Sequence, residues 1–240
     1  MLVFALLLLW EASARLGWVN STNWPSVTSV IAALVDGLIG GELGRLLVST
    51  LARTASGYAI GCASGVALGL LLGTNRWANY TVKPLIEVFR PIPAPAIVPP
   101  LILFLGVDNA LKVFVVSLAC FYPVFLNTLA GVASVDDVLL QTARTFKVPS
   151  RRVLLGVILP ASLPMIAAGM RTATGIALVV TVIAEMIAGS AGLGYYIVQM
   201  QYALRPEAMY AAVICLAATG YLLNRIFLEA EARFIPWLGK

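Results

Sequence analysis

Apolar residues gather in long runs along this chain, separated by short polar breaks. A helix needs about 20 mostly apolar residues to cross a bilayer. Six stretches meet or approach that length: 2–18, 47–73, 84–106, 110–132, 160–188 and 207–228. The first is the shortest case, since MLVFALLLLW must borrow EASARLGW to reach across. Its rival reading is a signal peptide cleaved near Ala12-Ser13-Ala14. No basic residue precedes the apolar run, as a signal requires, so a span is expected.

The second stretch contains GYAIGCASGVALGLLLG, in which Gly57, Gly61, Gly65, Gly69 and Gly73 recur at every fourth position. In water such a row costs about 1 kcal/mol per glycine against alanine. In lipid, helices do not associate by escaping water, and small residues let their backbones approach. The row therefore predicts the packing face of a transmembrane helix, with a hinge or a substrate-lining surface as the other readings.

Composition agrees: 60% of the 240 residues are hydrophobic, 11% are charged, and mean hydropathy is +0.94. A soluble domain is nearer half apolar and a quarter charged. Lys and Arg then orient the spans. With the N-terminus inside, Arg76, Lys83, Arg144, Lys147, Arg151, Arg152, Arg225, Arg233 and Lys240 fall inside, while Arg15, Arg45, Lys112 and Arg205 fall outside. Both termini are expected in the cytoplasm. The net charge of +5 reports this topology, not nucleic-acid binding.

The chemistry is bounded by what is missing. The sequence has no histidine, and Cys62, Cys120 and Cys215 lie far apart in apolar runs. No C-x-x-C occurs, so neither a metal site nor a redox pair is expected. No G-x-x-x-x-G-K-[ST] occurs, so no P-loop holds a nucleotide. No acid–base–nucleophile set stands out, and the chain is expected to be no enzyme.

The segment SVDDVLLQTARTFKVPSRRVLLGVILP, 134–160, joins the fourth and fifth spans on the inner side. Ser134 suits an N-cap, and Asp136 and Asp137 suit a first turn. Val135, Val138, Leu139, Thr142, Ala143 and Phe146 follow helical spacing and make one side apolar. Pro149-Ser150 breaks that helix, and a second starts near Arg151. Such an elbow either lies on the bilayer surface or fits the groove of a partner protein.

This segment resembles the coupling loop of ABC importer permeases, with Glu-Ala-Ala, three residues, Gly, nine residues, Ile-x-Leu-Pro. Aligned on Leu159-Pro160, the chain supplies Gln141-Thr142-Ala143, then Lys147, then Val157-Ile158-Leu159-Pro160. Gln141 and Lys147 depart from the pattern, and Pro149 is the residue available to redirect the chain. LWEASARLGW (9–18), VFRPIPAPAIVPPLILFLGV (88–107), FYPVFLNTLAGVASVD (121–136) and VIAEMIAGSAGLGYYI (182–197) are similar to the taurine, alkanesulfonate and nitrate importer subgroup. The resemblance implies an all-α, type I importer permease fold of about six spans in the bacterial inner membrane, with 1–240 as one permease domain. It implies a second permease subunit as a homodimer, two cytoplasmic ATPases carrying ATP and Mg, and a periplasmic or lipid-anchored binding protein. The chain itself would need no cofactor. Gln141, Ala143, Arg144, Phe146, Lys147, Val148 and Arg151 become the expected ATPase contacts. A small anion such as a sulfonate, taurine or nitrate is the expected solute, with a pyrimidine thiamine precursor or an aromatic acid as the alternative.

Two further features bear on a pathway. In RPIPAPAIVPP, Pro91, Pro93, Pro95, Pro99 and Pro100 lack backbone donors. Broken helix at membrane depth is tolerated where protein or a watery cavity surrounds it. The run, expected near the inner end of the third span, is either a static kink or a gate involving Arg90, Pro91 and Pro93. Arg53, Arg90, Arg171 and Glu185 are ionisable residues within spans, and such residues usually face protein or a cavity. Arg53 and Glu185 share a depth near the outer side and are expected to pair. Arg171 lies about 21 Å from Glu185 along its helix and has no evident partner. It either snorkels or lines the route of an anion. The loops 19–46 and 189–206 are expected on the periplasmic side, the first with a short helix beginning at Trp24-Pro25-Ser26. A channel or secondary transporter would show broken segments in both halves, but only one proline-broken span occurs. A membrane scaffold is the third class.

Overall fold

The structure is a computed structural model that describes residues 2–19, 21 and 23–235. Lys240 lies outside the described residues, as do the side chains of Arg76 and Lys83. The elements are α1 (Leu2–Arg15), α2 (Val27–Ile39), α3 (Glu42–Thr74), α4 (Arg76–Phe89), a 3-10 turn (Ala94–Ile97), α5 (Val98–Leu105), α6 (Asn109–Ala133), α7 (Asp137–Thr145), α8 (Ser150–Val153), a π-turn (Leu154–Ile158), α9 (Leu159–Ala188), α10 (Leu193–Tyr202) and α11 (Pro206–Phe234).

Helices α3, α6 and α9 form the core. The glycine row of α3 lies on α6 in parallel register: Gly57 on Val116, Gly61 on Cys120, Gly65 on Val124, Gly69 on Thr128 and Gly73 on Val132. A Cβ added at Gly61 would sit 2.5 Å from the Ser117 carbonyl oxygen, and one at Gly69 would sit 2.5 Å from the Thr128 Cβ. The backbones are therefore closer than any side chain permits, as small residues allow in lipid. Helix α9 runs antiparallel to α6, with Gly169 against Pro123 and Val124, and Gly131 against Ser162. Thr54, Thr128, Thr181 and Thr219 are buried there, each hydroxyl donating to the carbonyl four residues back. That bond lets a polar side chain sit in an apolar core. The free cysteines Cys62, Cys120 and Cys215 are buried packing residues.

Among the described residues four helices are long and apolar enough to cross a membrane: Glu42–Thr74, Asn109–Ala133, Ser150–Ala188 and Pro206–Phe234. Two of the six expected spans differ. Helix α1 is described over 14 residues and packs on α2, with the Trp10 indole donating to the Pro25 carbonyl at 3.0 Å and the Trp24 indole to Ser13 Oγ at 3.0 Å. The third span is not one straight helix. Its halves, Tyr80–Phe89 and Ala94–Leu105, meet at 81°, and counted as one span they bring the total among the described residues to five by length and composition. The prolines cause this, since each lacks a donor and pushes its predecessor toward extended geometry.

Two helix starts also differ from expectation. Ser134 closes α6, its amide donating to the Ala130 carbonyl, and Asp136 caps α7 by accepting from the Val138 amide at 2.8 Å. The N-cap of α2 is Ser26, and Pro25 precedes it rather than opening the first turn. The fifth span extends back to Ser150 through the π-turn. Pro160 has no N–H for the Gly156 carbonyl, and its ring would crowd that carbonyl in a regular helix. The wider turn at Leu154–Ile158, closed by the Leu159 amide on the Leu154 carbonyl, relieves that conflict.

Candidate functional site

At one end of the bundle α6 emerges into α7, which doubles back into α8 and the long α9; this is the elbow end. Gln141, Arg144, Phe146, Lys147, Val148 and Arg151 are all exposed, while Ala143 is buried on the inner side of α7. The Phe146 ring is 76% exposed and Val138 is 64% exposed, although both belong to the apolar stripe of α7. Val138, Leu139, Thr142 and Phe146 are thus offered outward, with Arg144, Lys147, Arg151 and Arg152 around them, while Val135 and Ala143 of the same stripe are buried.

The turn itself is tightly specified. Lys147 has φ 50. Its amide donates to the Arg144 carbonyl, and the Val148 amide donates to the Ala143 carbonyl, each at 2.9 Å. This is the paired closure made by a left-handed residue after a helix, a place usually taken by glycine. The departure at Lys147 therefore leaves the chain path that a glycine would take. Pro149 caps α8 in extended geometry and does not make the turn. A lysine held left-handed is strained by about 1–2 kcal/mol. Lys147→Gly is accordingly expected to slow hydrogen exchange at the Val148 amide roughly fivefold or more, whereas Lys147→Val should speed it. Equal exchange in all three proteins would contradict the strain.

At the opposite end, Arg53 and Glu185 form a buried ion pair with Nη1 to Oε1 at 2.6 Å. Thr50 Oγ1 donates to the same carboxylate at 3.0 Å, and the Gly194 amide donates to Oε2 at 3.0 Å. Arg53 also donates to the Asn109 side chain at 2.7 Å and to the Ala191 carbonyl at 2.8 Å. Thr50 in turn accepts from the Leu193 amide at 3.0 Å. One carboxylate and one guanidinium thereby fasten the turn before α10 to α3, α6 and α9. Gly192 has φ +111, and a Cβ there would lie 2.2 Å from the carboxylate. Lys112, also buried, donates to the Val107 carbonyl at 3.1 Å beside this node. Depth and charge pointed to Arg53 and Glu185. Thr50 and Asn109 were not singled out, and Gly189, Gly192 and Gly194 were read only as surrounding a loop, although a glycine cluster within ten residues of a buried acid is a signal for close backbone approach.

The other two arginines do not join this node or each other. Arg90 lines a cavity of ≈ 520 Å³ with Ile92, Pro95, Tyr122, Pro123 and Val180. The proline bend thus lies beside the middle of α6, not at an end as expected, because α4 diverges from the bundle before the chain returns. Pro91 and Pro93 are exposed beside this opening. Arg171 faces a second opening between α9 and α11. It is not unpartnered as expected, since its guanidinium pairs with Glu231 of α11. At about 100° per residue, Arg171 and the cavity-lining Val180 lie on opposite sides of α9. Among the described residues no group of three or more His, Cys, Asp or Glu is placed to hold a metal.

A helical core closed by backbone contacts, with a charged node sealed at one end and an exposed elbow at the other, is that of a multi-pass membrane protein. The chain belongs to the family of inner membrane components of binding-protein-dependent transport systems, whose model matches residues 65–235. It is 29% identical over 228 residues to SsuC of Escherichia coli (strain K12), named as an aliphatic sulfonates transport permease, covering 95% of this chain and 87% of that protein. It is 33% identical over 157 residues to the taurine transport system permease protein TauC of the same organism, covering 65% of this chain and 57% of that protein. A chain of the MetNI methionine ABC transporter, in an inward facing conformation, superposes with TM-score 0.71 at 18% identity, over 80% of this chain and 95% of that one. The fold is that of type I importer permeases. Family membership implies ATPase and substrate-binding protein partners, and places the protein in the inner membrane.

Proposed function

We propose that this chain is one of two identical permease subunits of an ATP-driven importer for a small organic sulfonate such as taurine. The observation that carries the reading is the elbow: an apolar ring, 76% exposed, stands on a turn held by two backbone bonds and flanked by arginines. Phe146, Val138 and Leu139 together offer an exposed apolar surface that suits a groove in a partner. In this reading 134–160 is cytoplasmic and docks on the ATPase, which holds ATP and Mg. With α1 counted as the first crossing, both chain termini are then cytoplasmic too, and 19–46 and 189–206 face the binding protein. Closure of the ATPases displaces the elbow, and the continuous helix Ser150–Ala188 carries that displacement across the membrane to Glu185. The gap between the copies opens beside Arg90 and the prolines. The sulfonate itself follows from the names of the two relatives.

Phe146→Ala combined with Arg151→Glu is expected to weaken ATPase binding by about 2 kcal/mol or more, roughly thirtyfold in Kd. Taurine uptake into vesicles should fall with it, while the purified permease keeps its thermal midpoint. ATPase co-purification and uptake at the unsubstituted level would remove the docking assignment. Uptake of nitrate or a pyrimidine in place of taurine would leave the machinery and replace the solute.

A further inference from the structure

Arg90 is a cation that nothing in its own chain answers. Arg53 and Arg171 each have a glutamate. Among the described residues no carboxylate pairs with the Arg90 guanidinium, and no oxygen accepts a hydrogen bond from it. The Tyr122 hydroxyl, on the α6 wall of the same cavity, is likewise without a hydrogen-bond partner among the described residues. The other lining side chains are Phe, Ile, Leu, Val, Ala and Pro, which neither donate nor accept. Pro91, Pro93 and Pro95 also remove backbone N–H groups nearby. The cavity therefore presents a guanidinium and a phenol as donors, and no carboxylate to balance them.

Depth rules out the usual partner of an arginine at a membrane surface. From Asn109 to Tyr122, α6 rises about 20 Å, and from Ala188 back to Val180 and Ile176, α9 rises about 12 and 18 Å. In a hydrocarbon core of about 30 Å, these wall positions cluster round the middle, away from lipid phosphates. An ionisable side chain at that depth is costly unless a partner or a watery route meets it.

A second copy offers no counter-charge either. Glu185 is fully buried on Arg53, the Glu231 side chain is 7% exposed on Arg171, and Glu87 has a partner of its own. Every other acid is paired within its helix or stands at a helix end or in a loop. A second copy placed across the opening would bring its own Arg90, more charge of the same sign. What suits the cavity is a small mobile anion, and ≈ 520 Å³ lies within the range of about 300–1,000 Å³ of small-molecule sites.

We propose that Arg90, with the Tyr122 hydroxyl, is the specificity-determining group of an anion site midway across the membrane, where it takes the oxyanion end of the travelling solute while Ile92, Ile97 and Ile176 take its hydrocarbon body. That the solute is an organic sulfonate rests on the importer function proposed above. Arginine suits this task, because its planar fork takes oxyanion oxygens pairwise and stays charged at any physiological pH. The break in the third span then serves the site: it ends α4 at Phe89 and leaves Arg90 at the edge of the opening.

The full chain, purified with its ATPase and placed in phosphatidylcholine nanodiscs, is titrated with trifluorobutanesulfonate and followed by fluorine NMR. Empty discs are the blank, and trifluorobutanol is the uncharged control. The sulfonate should bind saturably and roughly tenfold or more tightly than the alcohol. Arg90→Gln should erase that preference and keep the thermal midpoint, because Arg90 has no partner to lose. Arg90→Lys should keep the preference in part, and Tyr122→Phe should weaken sulfonate binding about threefold. A preference unchanged in Arg90→Gln, or a sulfonate held no better than the alcohol by the unsubstituted complex, would overturn the site. Displacement of the probe when phosphatidylglycerol replaces phosphatidylcholine would give Arg90 to a lipid headgroup and overturn it too. Binding that depends on Arg90, in a complex that imports no sulfonate, would uphold the anion site and replace only the solute of the proposed importer.

Discussion

Gly61→Val is expected to leave almost no folded protein. The new Cβ would stand 2.5 Å from the Ser117 carbonyl oxygen and 2.7 Å from the Cys120 Cβ. Neither is the free end of a flexible side chain, so α3 and α6 must separate along their whole contact. Overpacking by a few methylenes costs about 1–3 kcal/mol even where side chains can yield. Here the neighbour is backbone, and the loss extends to the contacts of Gly57, Gly65, Gly69 and Gly73. Gly61→Ala should show the same defect more mildly. The control lies on the same helix: a Cβ at Gly44 meets nothing within 4 Å. Gly44→Ala should match or exceed the unsubstituted protein, since alanine favours helix by about 1 kcal/mol. The readout is the monodisperse fraction in mild detergent together with its thermal midpoint. Gly61→Val behaving like Gly44→Ala would mean that the row does not pack the helices.

Glu185→Ala should be almost as damaging, for an electrostatic reason. It leaves the Arg53 guanidinium, 7% exposed, without its counter-charge, and it strips the Gly194 amide and Thr50 hydroxyl of an acceptor. Removing one member of a buried pair costs about 3–5 kcal/mol, whereas replacing both by apolar residues of similar size is often near neutral. The double change Arg53→Met with Glu185→Leu is therefore expected to recover most of the thermal midpoint lost by Glu185→Ala. It should not restore the turn 189–194, which would have no carboxylate to organise it. Faster hydrogen exchange at Leu193 and Gly194 in the double variant would report this. Single substitutions that shift stability by less than about 1 kcal/mol would show that the node is not closed.

Several elements were legible because their causes are local. Spans two, four, five and six follow from runs of apolar residues. The elbow's first helix follows from the switch to one-sided spacing at 135–146, and Pro149-Ser150 marks where the next one starts, although the turn between them is made at Lys147. Other features failed for identifiable reasons. Ser134 and Asp136 are both good caps, and which one serves depends on where α6 stops. Proline positions announce a broken helix but not its 81° angle, which depends on what α4 leaves and what α5 packs upon. Lys147 occupies a left-handed turn that propensity assigns to glycine, because the bonds to Ala143 and Arg144 outweigh the local strain.

Hydropathy and spacing by themselves determined a bilayer protein, the axial positions of its main spans, the glycine face of α3 and the depth at which Arg53 and Glu185 match. Partition into lipid is close to a sum over consecutive residues, so it can be read along the chain. The tertiary structure alone decided that Arg171 meets Glu231, that Arg90 and Arg171 face different openings, and that Gly192 gives way to a carboxylate. Those outcomes depend on how each helix is rotated about its axis and which helix lies beside it. Rotation and neighbour are set by close packing among residues far apart in the chain, where no short window of sequence records the answer.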